Sequence, residues 1–352
     1  MLECDMDGVL TNVERGAELS SREIEIAVTM LLDRAVADEK KARFLKALAQ
    51  KGETPAEIAG FVEAFLERAL DPGMDLMEFE GPTIDVCGTG GDKLDLFNIS
   101  TTSMFVIAAG GGVVVKHGNR GITSKSGGAD VLEALGIQID CEPAKFRECL
   151  DKAGVGFLFA MKYHPAFKAV GSVRKQLAAE GQRTIFNLIG PLLNPARPEC
   201  QLVGICMKGL RLAYAEILAR LNRDSAWVVH GTTADGMSVD EMSTMGPTFI
   251  SKSGSYQDQE DEEITPEELG LSVADVASLK GGDAEENAQI LIDILSGKDR
   301  GAKRDIVILN AGAGLACAGL VDHLEDGVNM AAELIDSGAA LERLRSMQAV
   351  FA

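Results

Sequence analysis

Residues 84–102 read Ile84-Asp85-Val86-Cys87-Gly88-Thr89-Gly90-Gly91-Asp92-Lys93-Leu94-Asp95-Leu96-Phe97-Asn98-Ile99-Ser100-Thr101-Thr102. Ile84, Val86 and Cys87 spell the end of a buried strand, and Gly88, Gly90 and Gly91 punctuate a turn that closes at Asp92. Asn98 to Thr102 offers a hydroxyl-rich helix start, which the apolar run 104–109 continues as a buried helix. After Gly110-Gly111-Gly112, residues 113–115 form a second strand that runs into Lys116-His117-Gly118-Asn119-Arg120. The loop 123–128 then opens a helix at 129–135. The unit strand, glycine loop, helix therefore occurs twice. Glycines let backbone N–H groups approach an anion, and helix N-termini favour negative charge. The stretch predicts a binding site for a highly phosphorylated small molecule.

Working outward, further strands are expected at 137–139, 156–159, 202–206, 226–230, 248–251 and 305–309, separated by helical segments. Such alternation predicts a mostly parallel sheet with helices on both faces. Residues 20–70 read as helices only, with Ser20 or Ser21 and then Thr54-Pro55 as helix starts. Asp71-Pro72-Gly73 and Gly81-Pro82 bracket a domain boundary. The apolar excess at Val62, Phe65, Leu66 and Leu70 is available to cover the rest of the chain or another subunit. Residues 258–268 hold seven acids and no base. They read as a solvated loop leading to a capped helix start at Thr265-Pro266-Glu267-Glu268. The N-terminal Asp5-Met6-Asp7-Gly8-Val9-Leu10-Thr11 resembles the first motif of haloacid-dehalogenase phosphatases. That motif needs a strand before it, so a short acidic turn is expected instead.

The chain has 352 residues, 46% hydrophobic and 25% charged, which suits a well-packed globular protein of two domains. A formal net charge of −20 opposes binding to nucleic acid or anionic membrane. The seven cysteines are scattered without a C-x-x-C, so neither a zinc knuckle nor a disulfide framework is expected. The longest apolar run, 104–115, is too short to span a bilayer. With an acidic N-terminus, these features lead us to expect a cytoplasmic protein.

Three groups of residues could carry chemistry. Lys116, His117, Arg120 and Lys125 lie together with no acid between them, which suits a phosphate. Asp240-Glu241 follows an apolar strand and suits Mg²⁺, a cation commonly held by carboxylates plus substrate phosphates. The stretch 157–195 mixes apolar walls with Tyr163, His164, Arg174 and Arg183, as a pocket for a small organic acid would. His230 reads as structural.

Taken in order, Gly-Thr-Gly-Gly-Asp at 88–92, Asn-Ile-Ser-Thr at 98–101, Lys-His-Gly-Asn-Arg at 116–120 and Ser-Lys-Ser-Gly at 124–127 resemble the anthranilate phosphoribosyltransferase family. So do Arg-Thr-Ile-Phe-Asn-Leu-Ile-Gly-Pro-Leu-Leu-Asn-Pro at 183–195, Lys-Gly-Glu-Thr at 51–54 and the segment from Leu309-Asn310-Ala311 to Leu344. The resemblance implies a nucleoside-phosphorylase-like α/β fold, with a small N-terminal helical domain and a larger domain built on a mostly parallel sheet. The helical domain would span 1–75, joined by helices from about 165–200, and the α/β domain 81–352. It further implies a homodimer through the helical part. The reaction implied transfers a phosphoribosyl group from phosphoribosyl pyrophosphate (PRPP) to anthranilate in tryptophan biosynthesis.

By the same resemblance, PRPP would be held by Gly88, Gly91, Asp92, Asn98, Ile99, Ser100 and Thr101. Lys116, His117, Gly118, Asn119, Arg120, Gly121, Ile122, Thr123 and Ser124 would hold it as well. Gly88, Asn119, His164 and Arg174 would contact anthranilate, with Lys116, Asn119 and Arg174 as catalytic residues. Ser100, Asp240 and Glu241 would bind Mg²⁺. The chain departs from the family pattern at Leu96, Gly128 and Met161, where Thr, Ser and Pro are usual. It is also longer at 178–182 and 232–239.

A different small aromatic or pyrimidine acceptor, served by PRPP-dependent or phosphorolytic transfer, is the principal alternative. A nucleic-acid-binding relative without activity is disfavoured by the charge.

Overall fold

The computed structural model describes residues 2–121, 125–254 and 261–352. Four helices come first: α1 (Leu2–Glu14), α2 (Ser21–Leu32), α3 (Asp38–Lys51) and α4 (Pro55–Leu66). Ser20 and Thr54 start α2 and α4 through reciprocal capping boxes with Glu23 and Glu57. The acidic turn expected at residues 5–11 is instead part of α1. Val9, Leu10 and Val13 are buried on one helical face, and that burial outweighs the weak propensity of Gly8.

The α/β part contains β1 (Thr83–Gly88), α5 (Ile99–Ala109), β2 (Val113–Gly118), α6 (Gly128–Ala134), α7 (Pro143–Ala153) and β3 (Val155–Phe159). Then come α8 (Ala160–Tyr163), α9 (Gly171–Ala179), β4 (Cys200–Gly204), α10 (Arg211–Arg220), β5 (Ser225–Thr232), β6 (Ser238–Val239), β7 (Thr248–Gly254) and β8 (Glu262–Ile264). Four helices close the chain: α11 (Ala284–Leu295), α12 (Ala302–Cys317), α13 (Leu324–Asp336) and α14 (Ala339–Ala349).

The sheet runs β3-β2-β1-β4-β5-β7-β8, with β6 paired to β5. The strands from β3 to β5 are parallel, and the β5 to β8 edge is antiparallel. Strand alternation splits the core. Val86, Leu202 and Val229 face the cluster containing α5 and the C-terminal helices. Cys87, Val203 and Val228 face a second cluster shared by α1–α4, α10 and residues 170–193.

Three sequence expectations fail here. Residues 137–139 are a connection rather than a strand, because Ile137 and Ile139 bury themselves in the core beside α6 without joining the sheet. Residues 305–309 lie within α12, a helix buried on all sides. An apolar run of that kind carries no period to distinguish helix from strand. The acidic stretch at 258–268, read as a loop, contributes residues 262–264 to β8, and the helix start after it is only a single 3₁₀ turn, Glu267–Leu269.

The direction of strand order reverses at β1, which pairs with β2 on one side and β4 on the other. In open α/β sheets such a switch point opens a crevice beyond the carboxyl ends of the strands.

Candidate active site

Gly88 ends β1 and lies in register with Gly204, the end of β4. The absent side chains make room for the segment that carries Asp240. A Cβ at Gly88 would lie 2.3 Å from Asp240 Oδ2, and one at Gly204 would lie 1.7 Å from its carbonyl oxygen. Gly90 and Gly91 serve differently. Their φ values are +70° and +98°, and nothing lies within 4 Å of a Cβ built at either. They turn the chain while leaving the crevice open.

The Gly90 N–H donates to Asp240 Oδ2 at 2.6 Å. Asp240 is buried, and burial with the nearby Asp92 carboxylate pushes its pKa up to about 6. Burial and Asp240 push the Glu241 carboxyl up to about 8, opposed by Lys116 and by a hydrogen bond from the Ser100 backbone. Asp92 is raised as well, chiefly by burial. Asn310 of α12 fixes the next residue, with Oδ1 accepting from Met242 N at 2.9 Å and Nδ2 donating to Met242 O at 2.9 Å. The expected trio of Ser100, Asp240 and Glu241 is thus brought together with Asp92 at the strand ends.

The first turn of α5 supplies the anion-binding character. Asn98 precedes it without a side-chain cap. Its Nδ2 instead donates to Ser126 O at 3.2 Å, and its Oδ1 accepts from Asn287 Nδ2 at 2.9 Å. Ser100 and Thr101 therefore sit where first-turn N–H groups have no intrahelical acceptor. The short α6 differs, because Asp130 Oδ2 already accepts from Gly121 N and Gly127 N, each at 2.8 Å. That carboxylate folds the loop after β2 back on itself.

The basic cluster read from the sequence is divided by strand geometry. Lys116 is buried beneath the glycine loop, donating to Val86 O and, at 3.1 Å, to Ser100 Oγ. His117 points to the opposite face. Arg120 is exposed and pairs with Glu133 at 2.8 Å, while Lys125 is exposed in the loop. Asn119 Oδ1 accepts from Arg120 N at 2.8 Å, and its carbonyl accepts from Ala129 N. Gly118 packs edge-on against Phe157, and Gly121 is exposed. Ile122, Thr123 and Ser124 lie outside the described residues.

From His117 an aromatic wall leads away. Its ring meets His164 edge-on at 5.5 Å, His164 stacks on Phe167 at 5.1 Å, and Phe167 meets Phe186 at 5.6 Å. The Arg174 guanidinium covers Phe186 at 4.8 Å. Arg174 is half-buried, burial lowers its pKa, and no carboxylate pairs with it among the described residues. His164 Nε2 is 2.8 Å from Leu193 O. His117 is buried, and its Nε2 has no partner among the described residues. Burial, followed by His164 and Lys116, holds its pKa down to about 3.

Arg183 does not join this wall. It faces Glu53 at 3.5 Å. Tyr163 is buried, and His230 Nδ1 is 2.8 Å from Ile205 O, a structural contact as read. At the atypical positions, Leu96 bridges to Lys280, Met161 is exposed, and a Cβ at Gly128 would come 2.8 Å from Thr101 Oγ1. A serine at 128 would therefore require Thr101 to shift.

Two supporting residues escaped the sequence reading. Asp85 is fully buried, accepts from His117 N at 3.2 Å and from Asn194 Nδ2 at 2.9 Å. Asn194 Nδ2 also donates to Val115 O at 2.8 Å, tying the Asn-Pro loop to β1 and β2. A polar residue in the middle of an apolar strand, as Asp85 is, was the available signal.

The chain matches the glycosyl transferase family α/β domain over residues 80–341 and the helical bundle domain of that family over 8–69. It is 45% identical to an anthranilate phosphoribosyltransferase of Syntrophomonas wolfei, over 97% of this chain and 96% of that one. Identity is 44% to the protein of that name from Chloroflexus aggregans, over 95% and 94% of the two chains. The solved anthranilate phosphoribosyltransferase of Thermus thermophilus superposes with a TM-score of 0.87 at 37% identity, covering 97% of this chain and 99% of that one. The Saccharomyces cerevisiae enzyme, solved with PRPP and Mg, gives 0.85 at 25% identity, covering 99% and 98%. With both of its domains matched and relatives of such identity spanning almost its whole length, the chain belongs to the anthranilate phosphoribosyltransferase family.

Proposed function

We infer that this protein transfers the phosphoribosyl group of PRPP to the amine of anthranilate in tryptophan biosynthesis. The bond from the anomeric carbon to the pyrophosphate oxygen breaks and a carbon–nitrogen bond forms. The amine gives up one proton, and pyrophosphate leaves. One observation carries the acceptor half of this reading. The aromatic wall from His117 ends in Arg174, a half-buried cation without an acid partner among the described residues. A planar aryl acid suits that wall, with its carboxylate on the guanidinium fork.

The phosphate half is supported by the first turn of α5 and the glycine turn at 88–92. The Ser100 N–H is taken by Glu241, and the positive end of the α5 dipole around Thr101 favours the negative charge that grows on the leaving pyrophosphate. Lys116 adds fixed positive charge from beneath. The remaining candidates at Asn98, Ile99 and 118–121 are taken as the rim of the same site. An arylamine has a free lone pair, so no strong general base is required, and alignment with the anomeric carbon supplies much of the rate.

Ser100, Asp240 and Glu241 would hold Mg²⁺. Asp92 raises the buried Asp240, and Asp240 raises the half-buried Glu241, so a cation between these carboxylates and the substrate is favoured. Among the described residues no three His, Cys, Asp or Glu side chains form a ready-made cage. That arrangement suits Mg²⁺, which keeps waters and substrate phosphates in its shell. When bound it would neutralise charge on the leaving group.

We further take residues 1–75, with the segment near 165–200, as the helical domain of a cytoplasmic homodimer, and 81–352 as the PRPP-binding domain. The matches ending at 69 and beginning at 80 support that division. The test is pyrophosphate release from PRPP and Mg²⁺ on addition of anthranilate. Release with another amine but not with anthranilate would overturn the acceptor assignment.

A further inference from the structure

Lys41, on α3 of the helical domain, has no exposed surface, and nothing in the reaction uses it. Lysine is almost never fully buried unless a partner compensates its charge. Its Nζ donates to Ala169 O at 2.8 Å, across 128 residues of sequence. Ala169 ends the 3₁₀ turn Pro165–Ala169, and the next residue, Val170, is the N-cap of α9 and gives it no side-chain cap. Ser172 Oγ donates to Asp38 Oδ2 at 2.7 Å, one turn earlier on α3. At the far end of α9, Glu180 pairs with Lys46 at 2.6 Å. Helix α3 therefore grips α9 at both ends.

What α9 carries gives this grip a function. Arg174 N donates to Val170 O at 3.0 Å, the first hydrogen bond of that helix. Moving the Ala169–Val170 peptide moves the base of the arginine. Phe167, two residues before Ala169, is part of the wall between His164 and Phe186. The lysine bond to Ala169 is charge-assisted, so it is stronger and more strictly placed than a neutral contact.

We propose that Lys41 is a positioning residue for the aryl-acid half of the site. Through Ala169 O it fixes the start of α9 and hence Arg174, so the helical domain sets affinity for the second substrate. The proposal rests on reading Arg174 as the carboxylate partner.

The test is steady-state kinetics of the full chain for Arg174→Ala, Lys41→Met and Ser172→Ala, with each substrate varied in turn. Lys41→Met keeps the stem and removes the donor. It should raise KM for anthranilate about five- to thirtyfold, leaving KM for PRPP within about twofold. Ser172→Ala, at an exposed position that does not threaten folding, should move the same constant about two- to threefold. If Lys41→Met does not fold, Ser172→Ala and Asp38→Asn decide, and an unchanged anthranilate KM in both overturns the proposal. A folded Lys41→Met that lowers only thermal stability, or shifts both KM values equally, also overturns it. If Arg174→Ala raises the anthranilate KM and Lys41→Met does not, this proposal alone fails. If Arg174→Ala leaves that KM unchanged, the reading of the pocket fails and takes the proposal with it.

Discussion

Arg174 stands over Phe186 with its charge uncompensated by any described acid, at the end of a wall that starts from His117. Arg174→Ala should therefore raise KM for anthranilate roughly ten- to a hundredfold, the loss of ~1.5–3 kcal/mol expected for a charge-assisted contact. KM for PRPP should barely change, and initial rates with each substrate varied will show it. His117 yields a pH prediction. Its pKa of about 3 in the fold lies below the 6.5 of a free imidazole, so protons bind the unfolded chain more readily. Its share of stability is intact above pH 6.5 and is lost as pH falls from there toward about 3. Between pH 7 and 5 the wild type should lose about 2 kcal/mol more than His117→Phe in denaturant titrations. Individual residues were the least legible scale. Arg174, Asp240 and Glu241 stood out by type and setting. Lys41 and Asn310 are informative only through partners 128 and 68 residues away, which no local pattern reveals.

Among elements, the strand ends matter most. Gly88 was legible as punctuation, whereas Gly204 lay inside the strand expected at 202–206, and their joint service to the Asp240 segment required the parallel register of β1 and β4. Gly204→Ala would drive a Cβ toward the Asp240 carbonyl, 1.7 Å away in the undisturbed fold. We expect a stability loss of about 1–3 kcal/mol, the usual cost of overpacking. A higher Mg²⁺ concentration for half-maximal rate should accompany it in a metal titration. The strand–loop–helix unit at 84–109 was readable because period, glycines and hydroxyls agree. The strand expected at 305–309 failed because α12 is buried on every side from Ile306 onward, so its apolar run shows no period. The expected basic cluster failed differently. Adjacent residues of a strand point to opposite faces, and that sends Lys116 under the loop and His117 toward the wall.

At the scale of the whole molecule, alternating strands and helices announced a parallel sheet, and its switch point lies where the glycine loop sits. The antiparallel edge was not announced, since β7 and β8 carry no signal of direction. No described helix is long and apolar enough to cross a membrane. The proposed homodimer joins through the helical domain. Sedimentation should give twice the chain mass of 37.3 kDa, and a monomer at micromolar concentration would count against that proposal.

Transfer from PRPP to anthranilate can be followed directly by anthranilate fluorescence. With PRPP and Mg²⁺, fluorescence should fall as one pyrophosphate appears for each anthranilate consumed. Phosphate with a pyrimidine nucleoside should give no turnover. Unchanged anthranilate fluorescence alongside phosphorolysis of the nucleoside would contradict the account.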